Sequence, residues 1–320
     1  MFVVALLIVG TVIVCRKVVG GGALEASCEQ KFTYVNPRFA CGTKPVVSKA
    51  GYAVLRANIR AYIEKQKEDG VATEIGVWFR DLEAGPTFGI NDRMDFIPAS
   101  LLKLPLVLTF LQIAEDNPSF LQEVVVYTGL ETPTPDQTFA PEETLKKDVA
   151  YTIDDLIYRS IVYSDNVSSQ LLYDYLRRSS QVDLLTQTYR DLGILDPGSD
   201  INRVAVNTKG YGSIFRMIYN SSFLNAEMSE KLLDLLARAG FHDGLQQGVP
   251  QDIKIANKFG ERFLSNGERQ LHDCGIVYYP GNPYQLCIMT KGGDFDELKD
   301  VVAEISRMVY REFDARKIDK

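Results

Sequence analysis

Hydrophobic periodicity changes twice along this chain, and that change limits the fold more than any other feature. Tyr52, Leu55, Ile59, Tyr62 and Ile63 recur at helical spacing, so 48–68 is expected as an amphipathic helix ending at Asp69-Gly70. The period then becomes that of strands. Thr73–Leu82 and Thr87–Ile90 are rich in β-branched and aromatic residues and flank Glu83-Ala84-Gly85-Pro86, which predicts a hairpin. A helical block follows at 100–115, 153–163, 167–177, 180–192, 208–219 and 226–239, with Thr152 and Asp155 as a capping box. Strands return at Ile253–Phe259, Leu271–Tyr279 and Tyr284–Thr290, the last two joined by Tyr279-Pro280-Gly281-Asn282-Pro283. Phe295–Phe313 is a closing amphipathic helix. This order predicts an α+β protein. One antiparallel sheet is flanked by the first and last helices, and an all-helical insertion separates its two halves.

Composition removes several classes of function. With 320 residues, 46% of them hydrophobic, the chain can bury a full core without disulfide staples. The formal charge of −7 argues against a nucleic-acid partner held by a basic face. There are two histidines, His242 and His272, and none of Cys15, Cys28, Cys41, Cys274 and Cys287 forms a C-x-x-C pair. No metal and no cofactor are expected.

The N-terminus stands apart. Residues 2–14, FVVALLIVGTVIV, are apolar without interruption and are followed by Arg16, Lys17 and Gly20-Gly21-Gly22. The run is shorter than the roughly 20 residues of a membrane-spanning helix and resembles the apolar part of an export signal. Its alternative is a buried hydrophobic element. The expected organisation is a signal or membrane anchor over 1–22, a tether over 23–47 and a folded domain over 48–320. That places the protein in the cell envelope, tethered to a membrane or secreted. Outside the cytoplasm Cys28 and Cys41 could pair, with free thiols as the alternative.

Three short stretches can carry chemistry. In Ser100-Leu101-Leu102-Lys103 the serine and lysine lie three apart, on one face of a helix. A serine hydroxyl needs a base to become a nucleophile, and a lysine can be that base when burial lowers its pKa. The helix start also offers backbone N–H groups to an oxyanion. Taken alone, the pair also reads as a capping serine and a solvated lysine. Ser164-Asp165-Asn166 sits between two helices, where all three residue types are common caps. Lys258-Phe259-Gly260 lies on a late strand, where a lysine is ordinary.

The order and spacing of these three stretches resemble the active-site set of class A β-lactamases and penicillin-binding proteins. The similarity extends to Phe96–Lys103, Tyr163–Val167, Ile255–Glu261 and His272–Tyr278, within about residues 48–315. The resemblance implies that Ser100 attacks an amide carbonyl and that Lys103 is its base. It implies that Ser164, beside Lys258, passes a proton to the departing nitrogen. Asn166 would contact the substrate's side-chain amide, and the backbone N–H groups of Ser100 and Glu261 would form the oxyanion hole. Phe259, Gly260, Glu261 and Arg262 would line the substrate strand.

The sequence departs from this family in two places. Class A enzymes carry Glu-x-x-Leu-Asn in a loop, where the glutamate activates the deacylating water. The corresponding stretch here, Leu195–Arg203, contains no glutamate, and Asp196 and Asp200 are the candidate bases. Phe259 stands where the family has Thr or Ser to bind the substrate carboxylate, and Arg262 is a replacement for that hydroxyl. The leading expectation is therefore a class A-type serine hydrolase acting on β-lactams. A cell-wall D,D-peptidase, amidase or esterase that deacylates slowly is the alternative, with an acyl-D-Ala-D-Ala-like or peptidoglycan substrate. A non-catalytic ligand-binding domain is the third reading. A Ser-His-Asp hydrolase is disfavoured by the local surroundings of both histidines.

Overall fold

A computed structural model describes residues 32–37, 51–83, 85–129, 137–139, 143–194 and 204–318 of the chain. The first element is helix α1, Ala53–Glu68, whose Leu55, Ile59 and Ile63 face inward at the expected spacing. It leads into β1 (Ala72–Asp81) and β2 (Thr87–Ile90), an antiparallel pair. The helical block is α2 (Lys103–Asp116), α3 (Ile153–Val162), α4 (Asn166–Arg178), α5 (Val182–Asp191), α6 (Thr208–Tyr219) and α7 (Ala226–Leu236). Then come β5 (Ile255–Phe263), β6 (Arg269–Val277) and β7 (Tyr284–Gly292), and the long closing helix α8 (Phe295–Ile318). The intervening β3 (Val124–Tyr127) and β4 (Val149–Thr152) form a separate two-stranded hairpin.

The main sheet is antiparallel throughout, in the order β2-β1-β7-β6-β5. Chain-terminal β1 and β7 pair over nine positions, from Ala72 opposite Gly292 to Asp81 opposite Tyr284, which joins the two halves of the sequence. Alternation along a strand sends neighbouring side chains to opposite faces. In β7, Leu286 and Ile288 enter a core with α1 and α8, while Cys287 and Met289 enter a second core with the helical block. A sheet covered on both faces needs strands apolar on both faces, and eight of the nine β6 residues are buried. The α+β expectation and the helical insertion are therefore both present in the fold.

Helix α2 occupies the middle of the helical block. Every residue from Lys103 to Leu111 is buried, as expected of a helix that is apolar all round. Pro105 falls in its first turn, where the lost N–H has no helical partner to give up. The sequence predicts one helix over 100–115, but Ala99–Leu102 forms a separate 3₁₀ turn ahead of α2. Ala99 has φ of 49°, a left-handed conformation that prevents a continuous α-helical approach to Ser100.

Two further features depart from the sequence reading. The β3–β4 hairpin has no signature in the sequence: its strands are four residues long and Val124, Val125 and Val126 are apolar on both faces. Cys274 and Cys287, directly opposite on β6 and β7, form a disulfide, a pairing the spacing did not reveal. Cys28 and Cys41 lie outside the described residues, as does the apolar run 2–14. Among the described residues no helix is long and apolar enough to cross a membrane. Residues 32–37, within the stretch expected as a tether, pack on the domain. The backbone N–H groups of Thr33, Tyr34 and Val35 donate to the Glu230 carboxylate at 2.6–3.0 Å, and the Tyr278 hydroxyl donates to Tyr34 O at 3.0 Å.

Candidate active site

The turn that carries Ser100 is built by close approach. Its carbonyls and amides are held from three sides: Tyr211 Oη donates to Leu101 O (2.9 Å), Ile97 N donates to Gln270 Oε1 (3.0 Å), and His272 Nε2 meets Ile97 O at 3.0 Å. Strand β5 then presses against this turn at Gly260. A Cβ there would stand 2.9 Å from Pro98 O and 3.3 Å from Leu101 N, so only glycine lets the strand lie this near. Gly260, expected at the substrate, thus sets the distance between β5 and Ser100.

Lys103 begins α2 one turn after Ser100 and is 7% exposed. Its Nζ donates to Asn166 Oδ1 at 2.7 Å, to Ser164 Oγ at 3.2 Å and closely to Ser164 O. Lys258, on β5, is 1% exposed and donates to Ser164 Oγ at 2.8 Å and to Phe259 O at 2.9 Å. The Ser164 hydroxyl therefore lies between two lysines. Burial lowers the Lys103 pKa to about 7, against the opposing pull of the Asp165 and Glu261 charges. Burial also holds the Lys258 pKa well below its usual value, and the neighbouring Lys103 charge adds to this. Asp273 and Glu261 oppose it. Two ammonium groups on one buried hydroxyl repel each other, so the pair favours a neutral lysine near neutral pH.

Ser164-Asp165-Asn166 resolves into two functions. Asp165 is the cap of α4: its carboxylate accepts from Val167 N at 3.1 Å and Ser168 N at 2.9 Å. The cap fixes the turn, and the residues on either side face the lysines. Ser164 has φ of 53°, a strained conformation for a non-glycine residue, and is fully buried.

These groups border a cavity of about 530 Å³ lined by Ala99, Ser100, Lys103, Gln137, Thr138, Asn166, Glu261, Arg262 and Phe263. Ser100, Lys103 and Asn166 thus meet at one opening, with Ser164 and Lys258 behind them. Glu261 and Arg262 reach it because β5 runs to Phe263, four residues beyond its expected end. The chain is similar over residues 54–313 to the family model described as the beta-lactamase enzyme family. The chain belongs to the beta-lactamase enzyme family.

The fold of this beta-lactamase-family protein is shared with solved structures of low identity. PBP-A matches with a TM-score of 0.69 at 21% identity, covering 85% of this chain and 100% of that one. A PBP-A mutant in an acyl-enzyme complex with penicillin G gives 0.68 and 21%, with the same coverage. A class A beta-lactamase from Mycobacterium abscessus gives 0.67 and 22%, covering 80% of this chain and 99% of that one. No curated protein sequence matches the chain.

Phe259 is not among the residues that line the cavity, although Lys258 Nζ lies 4.5 Å from its ring centroid. It is buried, and its ring stacks on Phe241 at 4.2 Å, on the face of the sheet covered by α8. The aromatic side chain is stabilised by that core, which removes it from the cavity lining. Gln137, Thr138 and Phe263 were not found by sequence reasoning. Gln137 and Thr138 lie outside any regular element, and no periodicity or motif marks them. Asp196 and Asp200 lie outside the described residues. Among the described residues no group of three or more His, Cys, Asp or Glu could hold a metal ion.

Proposed function

We propose that this protein is a serine acyl-enzyme hydrolase of class A β-lactamase type, with Ser100 as nucleophile and a β-lactam amide as the bond opened. The observation that carries this reading is the Ser164 hydroxyl held by both Lys103 and Lys258 beside the cavity that Ser100 lines. Neutral Lys103 takes the Ser100 Oγ proton, directly or through a water, as Oγ bonds to the carbonyl carbon. The oxyanion is received by the backbone N–H groups of Ser100 and Glu261. The C–N bond then breaks, and Ser164 gives its proton to the departing nitrogen, drawing one in turn from the lysine pair. Water later attacks the Ser100 ester and frees the acid. A carboxylate base for that water is sought in Asp196 or Asp200.

A second reading has its own support. Position 259 carries no carboxylate-binding hydroxyl and its ring is in the core, which favours an amidase, esterase or D,D-peptidase that β-lactams acylate and leave slowly. Arg262, exposed at the cavity rim, is then the cation available to an anionic substrate. The apolar run 2–14 with its glycine-rich continuation supports an envelope location for either enzyme. Intact-protein mass spectrometry after mixing with benzylpenicillin separates the readings. A persistent adduct on Ser100 means slow deacylation, turnover without accumulation means a β-lactamase, and absence of both adduct and turnover rejects acyl-enzyme chemistry.

A further inference from the structure

A three-residue strap, Gln137–Phe139, borders the cavity, with Gln137 and Thr138 in its lining. The carboxylate of Glu261 accepts from the backbone N–H groups of Thr138 (2.9 Å) and Phe139 (3.1 Å), tying the strap to β5. Phe139 seals the far end against Phe241, Phe259 and Phe295, with ring centroids 5.0, 5.9 and 6.1 Å away. The near end is Gln137, and its amide spans the strained turn. Nε2 donates to Ser164 O at 3.0 Å, and Oε1 accepts from Asn166 N at 3.3 Å. These contacts bracket Asp165, so one side chain grips both sides of the turn that presents Ser164. Lys103 Nζ donates to the same Ser164 carbonyl, which brings the Gln137 amide and the catalytic ammonium to one oxygen.

We propose that Gln137 is a positioning residue for acylation: latched by Glu261, it holds the Ser164 turn so that the hydroxyl stays between Lys103 and Lys258. The inference rests on the acyl-enzyme reading above. Its physical basis is the left-handed backbone at Ser164, a conformation that persists only where the surroundings over-determine it. The Asp165 cap holds the helix side of the turn, and Gln137 supplies the restraint on the cavity side. The Phe259 ring has a place in the same arrangement. Through Phe139, that ring anchors the strap whose amide grips the turn.

The experiment is rapid-quench acylation by benzylpenicillin across pH, with the wild-type chain, Gln137→Ala and Gln137→Glu. Gln137→Ala should lower the saturating acylation rate about tenfold while the preceding non-covalent dissociation constant moves less than about twofold, the pattern of a geometric loss in the transition state. Gln137→Glu keeps the acceptor for Asn166 N–H, loses the donor to Ser164 O and sets a carboxylate beside Lys103. The charges already acting on Lys103 are Asp165 and Glu261, which favour its ammonium, and Lys258, which opposes it. A further carboxylate favours the ammonium, so the rising limb of acylation should move up by about one pH unit. Wild-type acylation in Gln137→Ala, or a limb unmoved in Gln137→Glu, would overturn the inference while leaving the acyl-enzyme reading intact. A wild-type chain that takes up no penicillin overturns both.

Discussion

The two walls of the cavity are made differently. The wall that carries Ser100 is the 3₁₀ turn Ala99–Leu102, α2 and β5, wedged so tightly that Gly260 tolerates no side chain. The other wall is the strap Gln137–Phe139, held by one carboxylate and a ring cluster. Core packing fixes the first wall, whereas a few named contacts fix the second. Buried elements hold groups to a fraction of an ångström, and Gln137, at the end of the strap, ties the second wall to the turn that carries Ser164.

Removing Ser100 tests the rigid wall most severely. Ser100→Ala should abolish covalent labelling by penicillins and activated esters while the melting temperature stays near that of wild type, because the serine lies at the cavity and not in the core. Labelling that persists and maps elsewhere, read by peptide mass spectrometry, would move the nucleophile to another residue.

Deacylation separates the walls next. Ser100, Lys103 and Lys258 stand on the rigid wall, whereas the candidate bases Asp196 and Asp200 lie outside the described residues. A well-placed general base contributes about 10²–10⁴-fold in rate, and its absence should slow release by that factor while acylation proceeds. A chromogenic cephalosporin should then give a burst equal to the enzyme concentration followed by slow turnover. Fast hydrolysis without a burst, sharply reduced in Asp200→Asn, would make Asp200 the base and this protein an efficient β-lactamase.

The base itself supplies a pH test. Burial puts the Lys103 pKa at about 7, and only neutral lysine can accept the Ser100 proton. Acylation should therefore rise about tenfold per pH unit below 7 and level off above it. A limb near the ordinary lysine range would show that Lys103 is solvated during reaction, and the rigid wall would be less closed than its packing indicates.

Legibility in the sequence follows the same division. Helix and strand periods located the main sheet and helical block because Ile59, Ile63, Leu286 and Ile288 repeat their burial at regular intervals. Ser100, Lys103, Ser164 and Lys258 were legible through the order of three widely separated stretches that together resemble a known family's set, each being ordinary alone. Gln137 was not, since its role depends on a carbonyl 27 positions away and nothing local encodes that pairing. The Cys274–Cys287 bridge was hidden for the same reason: strand register, not spacing, sets it. Phe259 was legible as a departure but not in its consequence, because its ring could turn into the α8 core only with Phe241 and Phe139 there to receive it.

The smallest expected effect tests the rigid wall from inside β6, where His272 and Asp273 are neighbours on opposite faces. His272 is fully buried beneath the nucleophile segment, edge-on to Phe96, and its pKa is lowered to about 4 by burial. Asp273 is fully buried on the other face, accepting from Asn257 Nδ2 at 2.8 Å and Leu245 N at 2.9 Å, and burial raises its pKa to about 6. As pH falls from 6.5 towards 4, the unfolded chain protonates His272 before the folded one does, so stability is lost. Over the overlapping window from 6 to 4, the folded chain protonates Asp273 before the unfolded one, so stability is gained. Each contribution is of the order of 3 kcal/mol at its limit, and with opposite signs they largely offset in the wild type. His272→Gln keeps a donor for Ile97 O and removes the titrating ring, leaving the Asp273 gain uncompensated. The melting temperature of the variant relative to wild type should therefore climb by about 5 °C between pH 6.5 and pH 4. A constant offset across that range would show that His272 reaches water in the folded protein, and that the segment carrying Ser100 opens where the packing has it closed.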